Sequence, residues 1–125
     1  MASFHQIIRL PEFERELKSL SKRFHTLAED LQVLIDSQIR LYHKQDVVSG
    51  GIVRISNLGH LSAPVFKVRK FACKALKGRG ARTWLRLIYA YFEKEDRIEL
   101  VEIYFKGDKE SEDRERIMRY YLPAR

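Results

Sequence analysis

Hydrophobic residues in the first forty-odd positions recur every three or four residues, which is the spacing of one helical face. The first run starts at Leu10-Pro11, and proline suits the first position of a helix. Its apolar stripe consists of Phe13, Leu17, Leu20 and Phe24. A second run begins at Thr26, where Thr-Leu-Ala-Glu forms a capping box, and continues towards Tyr42. Because only residues 22–25 connect the two runs, the pattern predicts an antiparallel helical hairpin.

The pattern changes after Pro64 to segments rich in β-branched and aromatic residues, which are typical of strands. Three strands are predicted, at 65–71, 83–92 and 97–105. Ser111 is predicted to cap a final helix, and a β-like stretch at 52–55 has no assigned place. The order predicts an α+β fold with its helices on one side. An N-terminal helical hairpin packs on an antiparallel sheet, and a short C-terminal helix follows.

Alternation along the predicted strands separates two faces of the sheet. The apolar face, which is the predicted core beneath the helices, carries Phe66, Leu85, Leu87, Val101 and Ile103. The opposite face gathers cations and one aromatic ring on neighbouring strands, namely Lys67, Arg69, Arg86, Tyr104 and Lys106. Such a face can hold a phosphate backbone and stack on its bases. Two structural alternatives stay open: Arg86 pairs with Glu102 on the next strand, or the long basic side chains lie over apolar positions.

Composition and charge sharpen this picture. The 125 residues are 33% charged and 45% hydrophobic, which predicts one globular domain over residues 1–125. The net charge is +7, and residues 63–92 carry 8 basic groups and no acidic one, whereas residues 93–125 carry 8 basic and 10 acidic groups. A stretch without carboxylates leaves its cations unpaired locally, so a polyanionic partner is favoured over a merely solvated face.

Several other chemistries are disfavoured by the residues that are missing. Cys73 is the single cysteine, which excludes a disulfide framework and predicts a reducing, cytoplasmic location. No apolar run reaches the length of a membrane span. The sequence has no CxxC, HExxH or Walker motif, and its four histidines are scattered singly. We therefore expect no metal, no small-molecule cofactor and no membrane partner.

Four segments together resemble the RelE/ParE superfamily of type II toxin–antitoxin toxins, and within it the RelE/HigB-type branch most closely. They are VFKVRKFACK at 65–74, KGRGAR at 77–82, LRLIYAY at 85–91 and IYFKGDK at 103–109. The likeness extends over roughly residues 4–121 and includes the preceding helical hairpin. It implies a compact α+β toxin that a cognate antitoxin neutralises. RelE and HigB members cut mRNA on the ribosome without metal, by attack of the ribose 2′-hydroxyl that leaves a 2′,3′-cyclic phosphate.

The resemblance also implies roles for individual residues. The catalytic positions it matches are Lys67, Arg69, Arg86 and Lys106, with Lys109 as an alternative to Lys106. The two arginines would clamp the phosphate, because they cannot act as bases near neutral pH, and Lys67 or Lys106 would accept the proton. Further RNA contacts are expected from Lys70, Lys74, Lys77, Arg79, Arg82, Tyr104 and Lys109. The late tyrosine of some members has no clean match, and Tyr120 and Tyr121 are the candidates.

Trp84 departs from the family pattern, because members commonly have a small residue near this position.

The implied partners are mRNA on the ribosome and an antitoxin protein. Two other functions stay open from the sequence. One is a ParE-like toxin that acts on DNA gyrase without cutting RNA, and the other is a nucleic-acid-binding domain without catalysis.

Overall fold

Five strands form one sheet in the computed structural model, which describes residues 3–76 and 83–123. The strands are β1 Gln6–Arg9, β2 Ile52–Arg54, β3 Val65–Val68, β4 Leu85–Phe92 and β5 Arg97–Phe105. Their order in the sheet is β1-β5-β4-β3-β2. The helices are α1 Pro11–Ser21, α2 Leu27–Leu34, α3 Arg40–Lys44 and α4 Arg114–Tyr121, with a π-helical turn at Ile35–Ile39 between α2 and α3. The predicted α+β class is therefore confirmed.

The two predicted N-terminal helices are present, although the predicted capping box does not form. Thr26 stands at the N-cap of α2, but its side chain caps no backbone N–H of that helix. Its hydroxyl instead donates to Asp30 Oδ2 at 2.6 Å and accepts from the backbone N–H of Ala75 at 2.9 Å. Thr26 thus joins the start of α2 to the chain that follows β3. None of the helices in the described part of the chain is long and apolar enough to cross a membrane.

The predicted antiparallel strands β3, β4 and β5 pair in sequence order, and the sheet has two further strands. The unassigned stretch forms β2, which pairs antiparallel with β3. β1 lies parallel to β5 at the other edge, and the sequence did not predict it. β1 has four residues and its exposed edge position requires no apolar alternation, so it has no local strand signature.

Both faces of the sheet are buried, so the prediction that all helices lie on one side is wrong. One face packs on α1, α2 and the π-helical turn through Phe13, Leu31, Ile39 and neighbouring side chains. On the other face, Ile88, Ala90 and Val101 are fully buried. They form a cluster with Ile117 and Tyr121 of α4 and with Leu58 of the loop after β2.

Val101 was predicted on the wrong face because β5 contains a bulge. Ile88 pairs with Glu102 and Tyr89 with Leu100, which leaves Val101 as an extra residue in β5. The bulge turns Val101 towards the α4 face and keeps Glu102 on that face as well.

The helix α4 is fixed by a buried arginine. Arg116 is 7% exposed and donates two hydrogen bonds to the Glu16 carboxylate of α1, at 3.0 and 2.8 Å. It donates a third, at 2.9 Å, to the carbonyl of Val101 in the bulge. Asp113 caps the helix by accepting from the backbone N–H of Arg116 at 3.0 Å, so the predicted cap at Ser111 is wrong.

Candidate nucleic-acid interface

Sheet register brings the predicted cations of β3 and β4 together on the α4 face. We name Lys67, Arg69, Arg86, Tyr104 and Lys106 the basic sheet surface. Lys67 pairs with Ile88, and Arg86 pairs directly with Tyr104. Arg69 follows Val68, the last residue of β3, and therefore continues towards the position of Arg86. Direct cross-strand partners have Cβ atoms about 5 Å apart and diagonal ones lie about 7–8 Å apart, so these side chains can meet one ligand.

Arg86 is half-buried and its guanidinium is oriented by backbone carbonyls. Its Nη1 donates to the carbonyl of Thr83 at 2.8 Å and to that of Leu85 at 2.9 Å. Glu102 is not its partner, contrary to the alternative considered from the sequence. Among residues 3–76 and 83–123, no carboxylate lies within 4.0 Å of Arg86. The charge is therefore positioned by neutral groups, which orient a cation without cancelling its positive potential.

Lys67, in contrast, is neutralised by a carboxylate from the segment before α4. Its Nζ lies 2.7 Å from Glu112 Oε1, and the Glu112 side chain is only 7% exposed. Arg114 binds the other oxygen of Glu112 at 3.0 Å. Burial opposes ionisation of Glu112, but the hydrogen bonds and charge of these two cations hold its pKa below the usual value. Glu112 thus offsets the positive charge of Lys67.

Tyr104 is buried beside a second ion pair. Lys109 forms a salt bridge with Glu102, which is fully buried and also accepts from the backbone N–H of Asp113 at 2.8 Å. The Lys109 ammonium lies 5.4 Å from the centre of the Tyr104 ring. Burial and the charges of Glu112 and Glu102 raise the pKa of Tyr104 to about 12. Tyr104 is 5% exposed and its hydroxyl is buried without a hydrogen-bond partner, so the ring is not open for the predicted stacking on a base.

The end of the surface formed by Arg69, Lys106 and Trp84 is exposed. Lys106 extends the pairing of β5 with β4, since its backbone N–H donates to the carbonyl of Trp84 at 2.7 Å. Trp84 is 51% exposed, and its ring centre lies 6.1 Å from that of Phe105. Within the described part of the chain, neither Arg69 nor Lys106 has a carboxylate within 4.0 Å. This end joins two uncompensated cations to a large aromatic side chain.

The remaining predicted RNA contacts are spread more widely. Lys70 is exposed and lies against Gly51, where a Cβ would come 2.8 Å from Lys70 Cβ. Lys74 pairs with Glu29 at the start of α2 and is not part of the basic sheet surface. Three predicted contacts fall outside the described residues, namely Lys77, Arg79 and Arg82.

The two late tyrosines are engaged elsewhere in the fold. The Tyr120 hydroxyl donates to Glu12 of α1 at 2.7 Å. The Tyr121 hydroxyl donates to Glu99 of β5 at 2.8 Å, and Tyr121 is buried in the cluster beneath α4. Both hydroxyls therefore hold α4 in place.

Sequence reasoning missed three titratable groups. Glu112 pairs with Lys67 and Glu102 pairs with Lys109, and Glu102 carried a signal as an acidic residue in the middle of a strand. His43 borders a cleft of about 660 Å³ that also contains Tyr42, Phe66 and Tyr91. Burial lowers the pKa of His43 to about 4, so it is neutral near pH 7. No group of three or more histidine, cysteine or carboxylate side chains is placed to hold a metal ion within residues 3–76 and 83–123.

Comparison with known proteins identifies one similar structure. No family model and no curated protein matches the sequence. The chain is similar to a chain in the crystal structure of an archaeal RelE–RelB complex from Pyrococcus horikoshii OT3, with 14% sequence identity and a TM-score of 0.48. The alignment covers 83% of this chain and 97% of that one. At this level of similarity the family assignment stays a prediction from the sequence.

Proposed function

We propose that this chain is a toxin that cuts translated mRNA without a metal ion, and that RNA binds across the basic sheet surface. The observation that carries the proposal is the Arg86–Tyr104 pair, flanked by Arg69 and Lys106. Among the described residues, none of these three cations has a carboxylate within 4.0 Å, backbone carbonyls orient the Arg86 guanidinium, and its cross-strand partner Tyr104 has a buried hydroxyl. Uncompensated cations on neighbouring strands favour a polyanion over a neutral ligand.

In the proposed reaction, Arg86 and Arg69 bind the scissile phosphate and stabilise the charge that develops on it. The ribose 2′-oxygen attacks phosphorus, the bond to the 5′-oxygen breaks, and a 2′,3′-cyclic phosphate and a 5′-hydroxyl result. A neutral amine accepts the 2′-hydroxyl proton, and a protonated group supplies one to the leaving oxygen. Lys106 is the better placed amine, because Lys67 is engaged by Glu112. The resemblance in sequence supports an antitoxin protein as the partner that covers this surface.

The test is controlled expression of the wild type, Arg86→Ala and Arg15→Ala, with mRNA ends mapped in each culture. Arg15 is exposed on α1 and controls for the loss of one positive charge. We expect growth arrest and new ends bearing cyclic phosphate in the wild type and in Arg15→Ala. In Arg86→Ala the cuts should fall at least a hundredfold, since a preorganised donor to the reacting phosphate contributes about 10²–10³ in rate. Undiminished cutting by Arg86→Ala would refute the proposed site.

A second candidate is a nucleic-acid-binding domain without catalysis. The observation that favours it is that Lys67 and Lys109 are both held by buried carboxylates, which leaves fewer groups for proton transfer. This function predicts that the purified protein retards RNA in a gel and never produces cyclic-phosphate ends. Arrest of all three cultures without RNA cuts would instead favour the gyrase-type toxin.

A further inference from the structure

The carboxylate of Glu112 binds two cations, as a phosphate group does. Its Oε1 accepts from Lys67 Nζ at 2.7 Å, and its Oε2 accepts from Arg114 Nη1 at 3.0 Å. Lys67 is the one member of the basic sheet surface that has a carboxylate partner within the described part of the chain. Lysine binds carboxylates and phosphates through the same donors, so Glu112 and an RNA phosphate compete for one group.

Glu112 can leave Lys67 without unfolding the neighbouring helix. It belongs to the segment 106–113, which has no helix or strand and is mostly exposed. The next residue, Asp113, is held independently by the buried Glu102 and caps α4. The helix itself is fixed to α1 through Arg116. Only the side chain of Glu112 and the short segment before it need to move.

While Glu112 is bound to Lys67, one buried group beside this ion pair has no hydrogen-bond partner. This group is the hydroxyl of Tyr104, a residue that is only 5% exposed. Its pKa responds to the charges of Glu112 and Arg86, so the three groups share one local field. An unsatisfied buried hydroxyl is rare in folded proteins, and each case calls for an explanation. A phosphodiester that replaces the Glu112 carboxylate would bring four oxygen atoms to the same region instead of two, and one of them could accept from this hydroxyl.

We propose that Glu112 is an internal anion that occupies the Lys67 phosphate site and lowers the affinity of the resting protein for RNA. The inference rests on the proposed function, because it assigns an RNA phosphate as the competing ligand. RNA binding then requires Glu112 to be displaced, after which Lys67 makes one additional phosphate contact.

The experiment measures binding of a fluorescent single-stranded 2′-O-methyl RNA, which cannot be cleaved, over a range of salt concentrations. Glu112→Gln keeps the shape of the side chain and removes its charge. Glu110→Gln is the matched control, because Glu110 is exposed in the same segment and the net charge changes equally. We expect Glu112→Gln to bind at least threefold more tightly than Glu110→Gln. Its plot of log affinity against log salt should be steeper by about 0.7, the slope of one extra phosphate contact on a single strand.

The role of Lys67 is tested by combining substitutions. Lys67→Ala should remove the gain in affinity when it is combined with Glu112→Gln. The same substitution made in the wild type should weaken RNA binding less than it does in the Glu112→Gln background. Equal affinity and slope for Glu112→Gln and Glu110→Gln would overturn the inference, as would a gain that survives Lys67→Ala. Circular dichroism of each variant checks that α4 and the sheet are intact.

Cleavable RNA separates this inference from the proposed function. A Glu112→Gln gain in binding without any cut by the wild type would support the internal anion and refute the nuclease. Unchanged binding with lost cleavage would refute the internal anion and identify Glu112 as a catalytic carboxylate. If Arg86→Ala weakens binding while Glu112→Gln does not strengthen it, RNA binding at the basic sheet surface is supported and the internal anion is refuted.

Discussion

The half-buried His43 should make the stability of this protein strongly dependent on pH. Its Nε2 lies 2.7 Å from the hydroxyl of Tyr89, whose pKa is raised by burial, so this hydroxyl keeps its proton and can donate it. The His43 ring centre lies 4.2 Å from that of Tyr91 and 4.8 Å from that of Phe66. These aromatic neighbours offer little solvation to an imidazolium, and desolvation lowers the pKa of His43 to about 4.

The direction of the effect follows from proton uptake. Unfolded histidine titrates near pH 6.5, so between pH 6.5 and about 4 the unfolded chain binds more protons than the folded protein. The free energy of unfolding therefore decreases as the pH falls through this window. Below the window, the contribution of His43 no longer changes with pH. The difference between the two pKa values corresponds to about 3 kcal/mol in total, of which about 2 kcal/mol is lost between pH 7 and pH 5.

Urea unfolding at pH 7, 6 and 5 measures this loss. His43→Gln should have a much flatter profile, and His25→Gln, which changes an exposed histidine, should follow the wild type. The window stops at pH 5 because the carboxyls of Glu12, Asp96 and Glu112 have lowered pKa values and are protonated mainly below it. If the free energy of unfolding of His43→Gln decreased with falling pH as steeply as that of the wild type, the reasoning would be refuted.

Three further predictions concern buried groups and the cap of α4. Glu102→Ala should lower the free energy of unfolding by about 3 kcal/mol in urea titrations, because the backbone N–H of Asp113 loses its acceptor and Lys109 loses its fully buried partner. Asp113→Ala removes the cap of α4 and should cost about 1 kcal/mol in the same assay, whereas Ser111→Ala should cost little. Cys73 is 4% exposed and burial raises the pKa of its thiol, so a thiol-specific reagent should label the folded protein far more slowly than the unfolded chain.

The sequence predicted the elements whose signals are local. The apolar stripe from Phe13 to Leu20 specifies α1, and the bounds of β5 agree with those of the observed strand Arg97–Phe105. The same alternation correctly placed Arg86 and Tyr104 on one face, where they are direct partners. These features depend on the spacing of hydrophobic residues, which is two in a strand and three to four in a helix. Neighbouring positions in the sequence are enough to define that spacing.

Features that depend on distant parts of the chain were not predictable in this way. β1 is paired with β5, about ninety residues away, and has no alternation of its own. The bulge at Val101 interrupts an otherwise regular strand, and its carbonyl is used by Arg116 of α4. The α4 helix was expected as a short helix, but nothing in its pattern indicated that it covers the second face of the sheet. That cover is what brings Glu112 to Lys67.

The contact between Glu112 and Lys67 changes the interpretation of the charge pattern of the sequence. Residues 63–92 carry eight cations and no carboxylate, while residues 93–125 have an excess of acidic groups. Taken along the chain, this separation indicates unpaired cations, but in the fold the acidic segment supplies one carboxylate, Glu112, to the basic one. Glu112 compensates Lys67, whereas Arg86 on the adjacent strand is oriented only by carbonyls. The uncompensated cations therefore make the sharper prediction of where an anionic ligand would bind, and the compensated one is where we propose that an internal anion opposes that binding.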